Sequence, residues 1–515
     1  MIYRAIVLLV IDLACVACVR AQVAASSPTV VRSHVERFST AKERAAQAEN
    51  IANSRLANNQ NDAAAFNLRG VARLRLGRYA ESFEDLQRAV TLKPDSAEYQ
   101  TNLGYVLWKL GKVEPALVAT KTAIKLDDNN FAAHFQLGRF LVRLGGKDQL
   151  IEAIASLRRA LELDPRQYDV RFELITAYRA LGNTADATTQ LDFLWDSLPS
   201  DARVFYAGAL LATDRNDFNG AVKDFNEAVR RDPSLLDAWR DLGLAFVKLQ
   251  RWPDAVDAFA EFAHRQPDSI EAAYLHALAL YNTSKPIEAE REARRAVRLN
   301  SGAAGVQTLL GIILASRGNA NVEAADLLSQ AVALDPKSFD ANFYLGRVQY
   351  VMRDFAGAVK SLRAATQLQP HHGEAHFFLG TALEAAGDSD AAMKEYGELI
   401  ESDRDSVLGK LGLGALLLKQ GKIEEAITAL NSAISRDPKN FEAQWALGRA
   451  LMLAQKFDQA VAALEIAVSI SPNRSDAHYQ LGLALRRLGR TQEANREFAI
   501  VDRLNTEFRT NAVPK

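Results

Sequence analysis

Apolar residues recur along most of the chain at the spacing of an α-helix, in pairs of short segments separated by polar breaks. Residues 441–472 show the pattern clearly, because the polar pair Gln455 and Lys456 separates a first apolar set from a second. Gly448 leaves room where the two predicted helices cross, and Pro472 ends the second helix. This stretch therefore predicts an αα-hairpin.

The same hairpin pattern recurs through the chain. In five modules a glycine of the first helix precedes a proline after the second by 24 residues: Gly70 and Pro94, Gly243 and Pro267, Gly346 and Pro370, Gly414 and Pro438, and Gly448 and Pro472. Eight further segments keep most of the pattern, which gives thirteen modules, and in the fourth module Ile175 replaces the glycine and predicts an irregular crossing. One hairpin leaves an apolar face on either side, so the copies must stack on one another.

This pattern resembles the tetratricopeptide repeat family. The resemblance is carried by Trp239, Leu242, Gly243, Ala255, Phe259 and Pro267 in one module and by Ala443, Leu447, Gly448, Ala460, Leu464, Ala467 and Pro472 in another. It covers roughly residues 63–504 and implies an all-α fold, a right-handed α-solenoid superhelix of about thirteen helix-turn-helix repeats. The family also implies that the first helices line a concave groove for a protein or peptide partner.

The N-terminal segment is typical of a secretory signal peptide. Arg4 precedes an apolar run at residues 5–19, and Ala21 ends a small-residue cleavage site. The run has 15 residues against the roughly 20 that a membrane-spanning helix needs, and it contains Asp12. We therefore expect a periplasmic or secreted protein, with a membrane-anchored protein as the alternative.

The hydrophobic and polar pattern divides the whole chain into five predicted segments. We predict a signal peptide at 1–21, a disordered leader at 22–33, an N-terminal capping helix and loop at 34–62, the repeat solenoid at 63–506, and a polar tail at 507–515.

Composition narrows the classes of function. The formal net charge is −1, with 62 basic and 63 acidic residues, so we expect no nucleic-acid partner, and a membrane contact only through an uncleaved N-terminal segment. The two cysteines, Cys15 and Cys18, both lie in the predicted signal peptide, so the mature chain has no thiol. No phosphate-binding glycine loop, His-Glu-x-x-His motif or nucleophile elbow occurs, and we expect neither enzymatic activity nor a cofactor.

An aromatic residue recurs early in the first helix of many modules. The set comprises Phe135, Phe172, Tyr206, Tyr274, Phe343, Phe377, Trp445 and Tyr479. These rings either pack between neighbouring repeats or form an apolar surface for a peptide in the groove. Both interpretations stay open from the sequence. An acid precedes most of these rings by three residues, which we interpret as complementing the helix dipole.

Three of the aromatic residues are followed by an arginine four positions later, on the same helix face: Phe135 with Arg139, Phe343 with Arg347, and Trp445 with Arg449. A guanidinium beside a ring suits a carboxylate of a partner. The alternative is an arginine that forms an ion pair with an acid of the neighbouring repeat. We take the eight aromatic residues and these three arginines as candidate partner-binding residues of the groove.

Three histidines near residue 372 are potential metal ligands. His372 and His376 lie four residues apart, beside His371. His376, however, occupies the place that Trp239 fills in another module, which favours packing between helices. We therefore predict no metal site from the sequence.

The sequence thus predicts an exported, non-enzymatic scaffold of the bacterial envelope that binds a protein or peptide in its concave groove. Two alternatives stay open: an adaptor in the export or assembly of envelope polysaccharide, and a regulatory repeat array for an enzyme on another chain. Partner identity and oligomeric state are not predicted.

Overall fold

The computed structural model describes residues 35–318 and 321–511, and these residues form helices joined by short loops, with no strand among them. The predicted signal peptide at 1–21, the leader at 22–33 and the last four residues of the tail lie outside the described residues. The chain forms two compact units, one ending at Thr283 and the other beginning at Ser284.

The first unit contains fourteen of the described helices. They are α1 (Val35–Asn58), α2 (Ala63–Arg75), α3 (Tyr79–Leu92), α4 (Ala97–Lys109), α5 (Val113–Leu126), α6 (Phe131–Leu144), α7 (Lys147–Leu163), α8 (Tyr168–Ala180), α9 (Thr184–Ser197), α10 (Ala202–Asp214), α11 (Phe218–Arg231), α12 (Leu236–Lys248), α13 (Trp252–Arg265) and α14 (Ile270–Asn282).

The second unit contains the other thirteen described helices. They are α15 (Pro286–Leu299), α16 (Ala304–Arg317), α17 (Asn321–Leu334), α18 (Phe339–Val351), α19 (Phe355–Leu368), α20 (Gly373–Ala385), α21 (Ser389–Ser402), α22 (Val407–Lys419), α23 (Ile423–Arg436), α24 (Phe441–Leu453), α25 (Phe457–Ile470), α26 (Ser475–Arg487) and α27 (Thr491–Asn511).

Each unit is a stack of antiparallel helix pairs. In the first unit α2 packs on α3, α4 on α5, and so on to α12 on α13, and α1 packs against α2. In the second unit the pairs run from α16 and α17 to α26 and α27. Helices α14 and α15, which the sequence pattern pairs as a seventh repeat, belong to different units. The all-α, helix-turn-helix solenoid predicted from the sequence is confirmed.

The predicted glycine at the helix crossing is a physical requirement. A Cβ atom added to Gly448 would lie 2.5 Å from Cγ of Leu464 in the facing helix, and the Leu464 side chain is fully buried. The two backbones are therefore closer than any larger residue permits. In the fourth module the buried Ile175 takes this place, and the contact between helices α8 and α9 is less extensive than the contact within the other complete pairs.

A recurring hydrogen bond joins successive pairs within each unit. The fourth residue of a first helix donates from its side chain to the carbonyl oxygen six residues earlier, just after the preceding helix. Trp239 Nε1 donates to the Pro233 carbonyl at 3.1 Å, and Gln444 Nε2 donates to the Pro438 carbonyl at 3.1 Å. We call this contact the inter-repeat tether. The acceptor is a carbonyl of the loop between the two helices, which takes no part in the helical hydrogen-bond pattern.

The last helix continues to Asn511, five residues beyond the predicted repeat boundary at 506. The predicted tail is polar but contains no proline before residue 514, so nothing ends the helix earlier. An ion pair between Arg503 and Glu507, one turn apart at 3.8 Å, supports the extension. Of the helices in the described ranges, none combines the length and the hydropathy needed to cross a bilayer.

Candidate functional site

The first helices of successive repeats form a layer of their own in each unit. Helix α6 packs against α8, and α18 packs against α20, whereas the second helices of successive repeats make no comparable contact within either unit of the described chain. The eleven candidate residues are the fifth or ninth residues of first helices. We call the side that carries these positions the inner face.

The aromatic candidates differ in how much ring surface they present. Tyr479 is 47% exposed, and Phe135, Phe172, Tyr206, Phe377 and Trp445 are partly buried. Tyr274 is 1% exposed and Phe343 is 3% exposed. These two rings fill space between helices and leave no face for a partner, so we remove Tyr274 and Phe343 as direct contacts. The packing interpretation holds for them.

The three predicted arginine–aromatic pairs form as the spacing implied. The guanidinium carbon lies 5.3 Å from the Phe135 ring centre for Arg139, 5.4 Å from the Phe343 ring centre for Arg347, and 4.8 Å from the Trp445 ring centre for Arg449. Each distance lies within the range of a cation–π contact. The pairs differ in what else the arginine contacts.

The Arg139 guanidinium already has a carboxylate partner within the stack. Its Nε donates to the Glu173 carboxylate at 3.0 Å, and Glu173 belongs to the first helix of the next repeat. The alternative interpretation, an arginine that forms an ion pair with an acid of the neighbouring repeat, therefore describes this residue. Arg139 therefore helps to join α6 to α8.

Arg347 lies among three rings of the second unit. Its guanidinium carbon is 5.3 Å from the Tyr344 ring centre and 4.7 Å from the Phe378 ring centre, in addition to Phe343. The rings also contact one another, with Phe343 and Phe378 centres 5.8 Å apart. Sequence reasoning missed Tyr344 and Phe378, although each is the sixth residue of its first helix and an alignment of the repeats by position would have found them.

Arg347 and Arg449 have no carboxylate partner within residues 35–318 and 321–511. Arg347 is partly buried, and Arg449 is exposed. Leu453 follows Arg449 by one helical turn and is 58% exposed. Along α24, the Trp445 ring, the Arg449 cation and the Leu453 side chain thus form a continuous accessible strip.

In the first unit several charges of the inner face are paired with one another. The Arg179 guanidinium binds the Asp214 carboxylate with two hydrogen bonds, one of them 2.9 Å long. The Tyr206 hydroxyl donates to the Asp241 carboxylate at 2.8 Å, and Arg240 donates to the same carboxylate at 2.9 Å. Burial, reinforced by the Asp241 charge, raises the pKa of Tyr206 above its ordinary value of 10.0.

Several of the acids at the start of the first helices also have partners. Glu98 accepts a hydrogen bond from Asn67 Nδ2 at 3.0 Å, and Asp169 binds Arg203 at 2.9 Å. Each contact joins one repeat to a neighbouring one. These acids therefore do more than complement the helix dipole, because they also hold the stack together.

The histidines considered for metal binding are separated. His372 Nδ1 accepts the hydrogen bond of the Ala375 backbone N–H at 3.2 Å, and His371 is exposed. His376 is turned toward α21, where its Nδ1 lies 2.8 Å from a Glu395 carboxylate oxygen. His372 is thus a helix cap rather than a partner of His376.

Models of known families match most of the repeat region. One model described as tetratricopeptide repeat matches five segments that together cover more than half of the chain: residues 206–270, 274–339, 343–406, 411–475 and 454–499. Two further models of the tetratricopeptide repeat match residues 146–211 and 97–130, and a model described as TPR repeat matches residues 70–111.

Several curated proteins are similar to this chain over part of their length. The chain is 24% identical over 282 residues to the BBSome complex member BBS4 homolog of Drosophila melanogaster, which covers 46% of this chain and 58% of that protein. It is 22% identical over 298 residues to DnaJ homolog subfamily C member 7 of Mus musculus, 55% of either chain. It is 24% identical over 224 residues to Protein O-mannosyl-transferase TMTC3 of Homo sapiens, 43% of this chain and 24% of that protein. The chain thus spans less than two thirds of each relative.

Among solved structures, the chain is similar to a chain in the crystal structure of the APC/C hetero-tetramer Cut9-Hcn1. The two are 14% identical with a TM-score of 0.46, and the match covers 91% of this chain and 99% of the other.

Proposed function

Because the chain belongs to the tetratricopeptide repeat family, we propose that it is an exported, non-enzymatic scaffold that binds a protein or peptide partner on the inner face of its second unit. Repeats of this family generally serve protein–protein interaction. Export rests on the predicted signal peptide at residues 1–21, and the bacterial envelope remains the proposed location.

One observation carries the choice of surface. Arg347 and Arg449 are backed by aromatic rings and have no acidic partner in the described ranges of the chain. In the first unit, by contrast, Arg139 and Arg179 are bound to acids of their own stack. A guanidinium held by rings keeps its hydrogen-bond donors free for a carboxylate, and a charge-assisted hydrogen bond of this kind contributes about 1.5–3 kcal/mol. We therefore propose that the partner presents acidic side chains.

A second candidate function has one supporting observation. Part of the chain matches a protein whose name identifies it as an O-mannosyl-transferase, over about a quarter of that protein. This match favours a repeat array that regulates an enzyme on another chain. Copurification of the partner with a transferase activity would support this candidate over a scaffold for a non-enzymatic partner.

A photo-crosslinking experiment tests the proposed surface. A photoreactive phenylalanine at Leu453 lies beside Arg449 on the inner face, whereas the same residue at Ile466, 42% exposed on the second helix α25, serves as the control. We expect a discrete crosslinked product in cells from position 453 and none from position 466. Identification of the N-terminal residue of the same material locates the processing site, and we expect Gln22 for an exported protein.

The arginines supply the second arm of the test. Arg347→Ala with Arg449→Ala removes both free cations, and the yield of the crosslinked product from position 453 is expected to fall about tenfold or more. Arg139→Ala is the matched control, since that cation is already bound to Glu173, and it is expected to leave the yield unchanged. Equal yields from the double variant and the wild type, with unchanged circular dichroism, would refute the proposed surface.

A further inference from the structure

Three potential metal ligands meet at the tenth repeat, on the facing sides of α20 and α21. They are His376 on α20 and Glu395 and Glu398, one turn apart on α21. One ring nitrogen of the histidine and one oxygen of each carboxylate all lie within 4.8 Å of one another. The histidine and Glu395 are partly buried, and Glu398 is exposed.

The inter-repeat tether fixes which histidine nitrogen carries a hydrogen. His376 is the fourth residue of its helix, and its Nε2 lies 3.0 Å from the Pro370 carbonyl oxygen, six residues earlier. A carbonyl oxygen only accepts hydrogen bonds, so Nε2 is the protonated nitrogen of the neutral ring. Nδ1 then carries a lone pair and lies 2.8 Å from the Glu395 carboxylate oxygen, which is also an acceptor. A proton therefore lies between these two atoms at this distance, and a metal ion bound to both would replace that proton as the two side chains move slightly apart.

This arrangement is the one found around metal-binding histidines. Such a histidine almost always donates its other ring N–H to a backbone carbonyl or a carboxylate, which orients the ring and increases its basicity. Here the Pro370 carbonyl has that role, and Glu395 supplies a second ligand. The exposed Glu398 side chain can rotate to bring a third oxygen to the ~2.0–2.2 Å at which zinc binds oxygen and nitrogen.

We propose that His376, Glu395 and Glu398 bind a zinc ion, with water completing the coordination. One imidazole nitrogen and two carboxylate oxygens form a three-ligand set that suits zinc in an open tetrahedral site. The ion would join α20 to α21 and so fix the geometry of the tenth repeat. The neighbouring Phe377 and Phe378 on α20 contact each other on the inner face, and Phe378 contacts Arg347.

The thirteenth repeat provides a matched control within the same chain. His478 Nε2 lies 2.9 Å from the Pro472 carbonyl oxygen, and its Nδ1 lies 2.6 Å from a Glu497 carboxylate oxygen. Three residues after Glu497, however, the chain has Ile500 where the tenth repeat has Glu398. This histidine–glutamate pair therefore lacks the third ligand and is expected to share a proton rather than bind zinc.

The test uses the full chain without an affinity tag, and measures zinc by competition with a chromophoric chelator. Wild-type protein is expected to bind one zinc per chain with high affinity, and bound cobalt is expected to give the visible spectrum of a tetrahedral site. His376→Gln removes the Nδ1 ligand but keeps the tether, since Gln444 donates the same hydrogen bond in its own repeat. Glu398→Gln removes the third ligand and leaves the His376–Glu395 contact in place.

Both variants are expected to weaken zinc binding by at least about tenfold, the loss that even an outer-shell partner of a metal typically causes. His478→Gln is expected to leave the affinity and the stoichiometry unchanged. Lys394, whose ammonium lies 3.5 Å from the Glu398 carboxylate, competes with the ion, so Lys394→Ala is expected to tighten binding. Circular dichroism establishes that every variant is folded.

Three results would overturn the proposal. The first is the absence of stoichiometric zinc binding by the wild-type protein. The second is an unchanged affinity in Glu398→Gln, because the site would then lack its third ligand. The third is an equal loss in His478→Gln and His376→Gln, because binding would then be a general property of histidine–glutamate pairs.

Discussion

The close crossing of the two helices in each repeat predicts opposite effects for one substitution at two glycines. Gly448 lies in α24 against Leu464, whereas Gly397 lies in α21 with no atom within 4 Å of the place of its missing Cβ. Both glycines are inside helices, where alanine is favoured over glycine by about 1 kcal/mol. Gly397→Ala is therefore expected to stabilise its repeat by about that amount.

Gly448→Ala gains the same helix propensity but introduces a clash. The new Cβ would lie 2.5 Å from Leu464 Cγ and 2.7 Å from Cδ2, against the ~3.5–4.0 Å of ordinary carbon contacts. Leu464 is fully buried and its Cγ lies near the base of the side chain, so the clash is relieved only when α24 and α25 separate. Overpacking of this kind costs about 1–3 kcal/mol. The net result is a destabilisation of up to about 2 kcal/mol.

Hydrogen exchange of backbone amides is the suitable assay. Stability in a stack of repeats is a sum of local terms, so one global unfolding energy would hide the effect of a change in one repeat. Exchange of the amides of α24 and α25 is compared with that of α20 and α21 in the wild type and in both variants. The difference between the two substitutions isolates the clash, and 1–3 kcal/mol corresponds to roughly 5- to 150-fold in protection.

The reasoning would be refuted by one outcome in particular. If Gly448→Ala increases protection around α24 as much as Gly397→Ala does around α21, the crossing tolerates a methyl group, and the glycine is not a requirement of the close approach. Loss of protection in both variants would instead show that helix propensity has been overestimated.

Two further predictions concern the inter-repeat tether and the inner face of the first unit. Gln444→Ala removes the hydrogen bond to the Pro438 carbonyl and is expected to cost about 1 kcal/mol of local stability. Gln444→His is expected to cost less, because His478 makes the same contact in its own repeat. Hydrogen exchange of the backbone amides of α24 measures both effects. The raised pKa of Tyr206 means that the folded state holds the phenol proton more tightly than the unfolded state does. The free energy of unfolding is therefore unaffected by the ionisation of this group below about pH 10, and it falls as the pH rises further. Tyr206→Phe, which also removes the bond to Asp241, is expected to lower stability at neutral pH but to make its loss above pH 10 shallower in denaturant titrations.

The repeat fold follows from the sequence because its determinants are local. The 3.6-residue spacing of apolar residues and the constant interval from Gly448 to Pro472 fix both the helices and the crossing. The division at Thr283 does not follow in the same way, since no break in composition marks that position. The extension of the last helix to Asn511 was missed because a polar sequence without a breaker is compatible with both a tail and a helix.

The candidate site was only partly predictable, and the reason lies in which contacts are local. The pairing of Trp445 with Arg449 is set by one helical turn and could be anticipated. The contact of Arg347 with Phe378 joins two repeats and depends on how the first helices stack. In the same way, helical spacing led to His372 as the neighbour of His376, whereas the structure brings Glu395 there from the second helix. A one-helix pattern contains no information about the facing helix.

The contrast between named arginines of the two units explains why we place the proposed partner contact on the second unit. A cation already bound to a carboxylate must lose that bond before it can bind another, so Arg179, held by two hydrogen bonds to Asp214, gains little from an acidic partner. Arg449 has no such bond to lose within the described part of the chain, and its ring contact with Trp445 persists when a carboxylate approaches from solvent. Arginines on the first helices of the same fold therefore differ in binding capacity, because the acids of the neighbouring repeats decide which cations stay available.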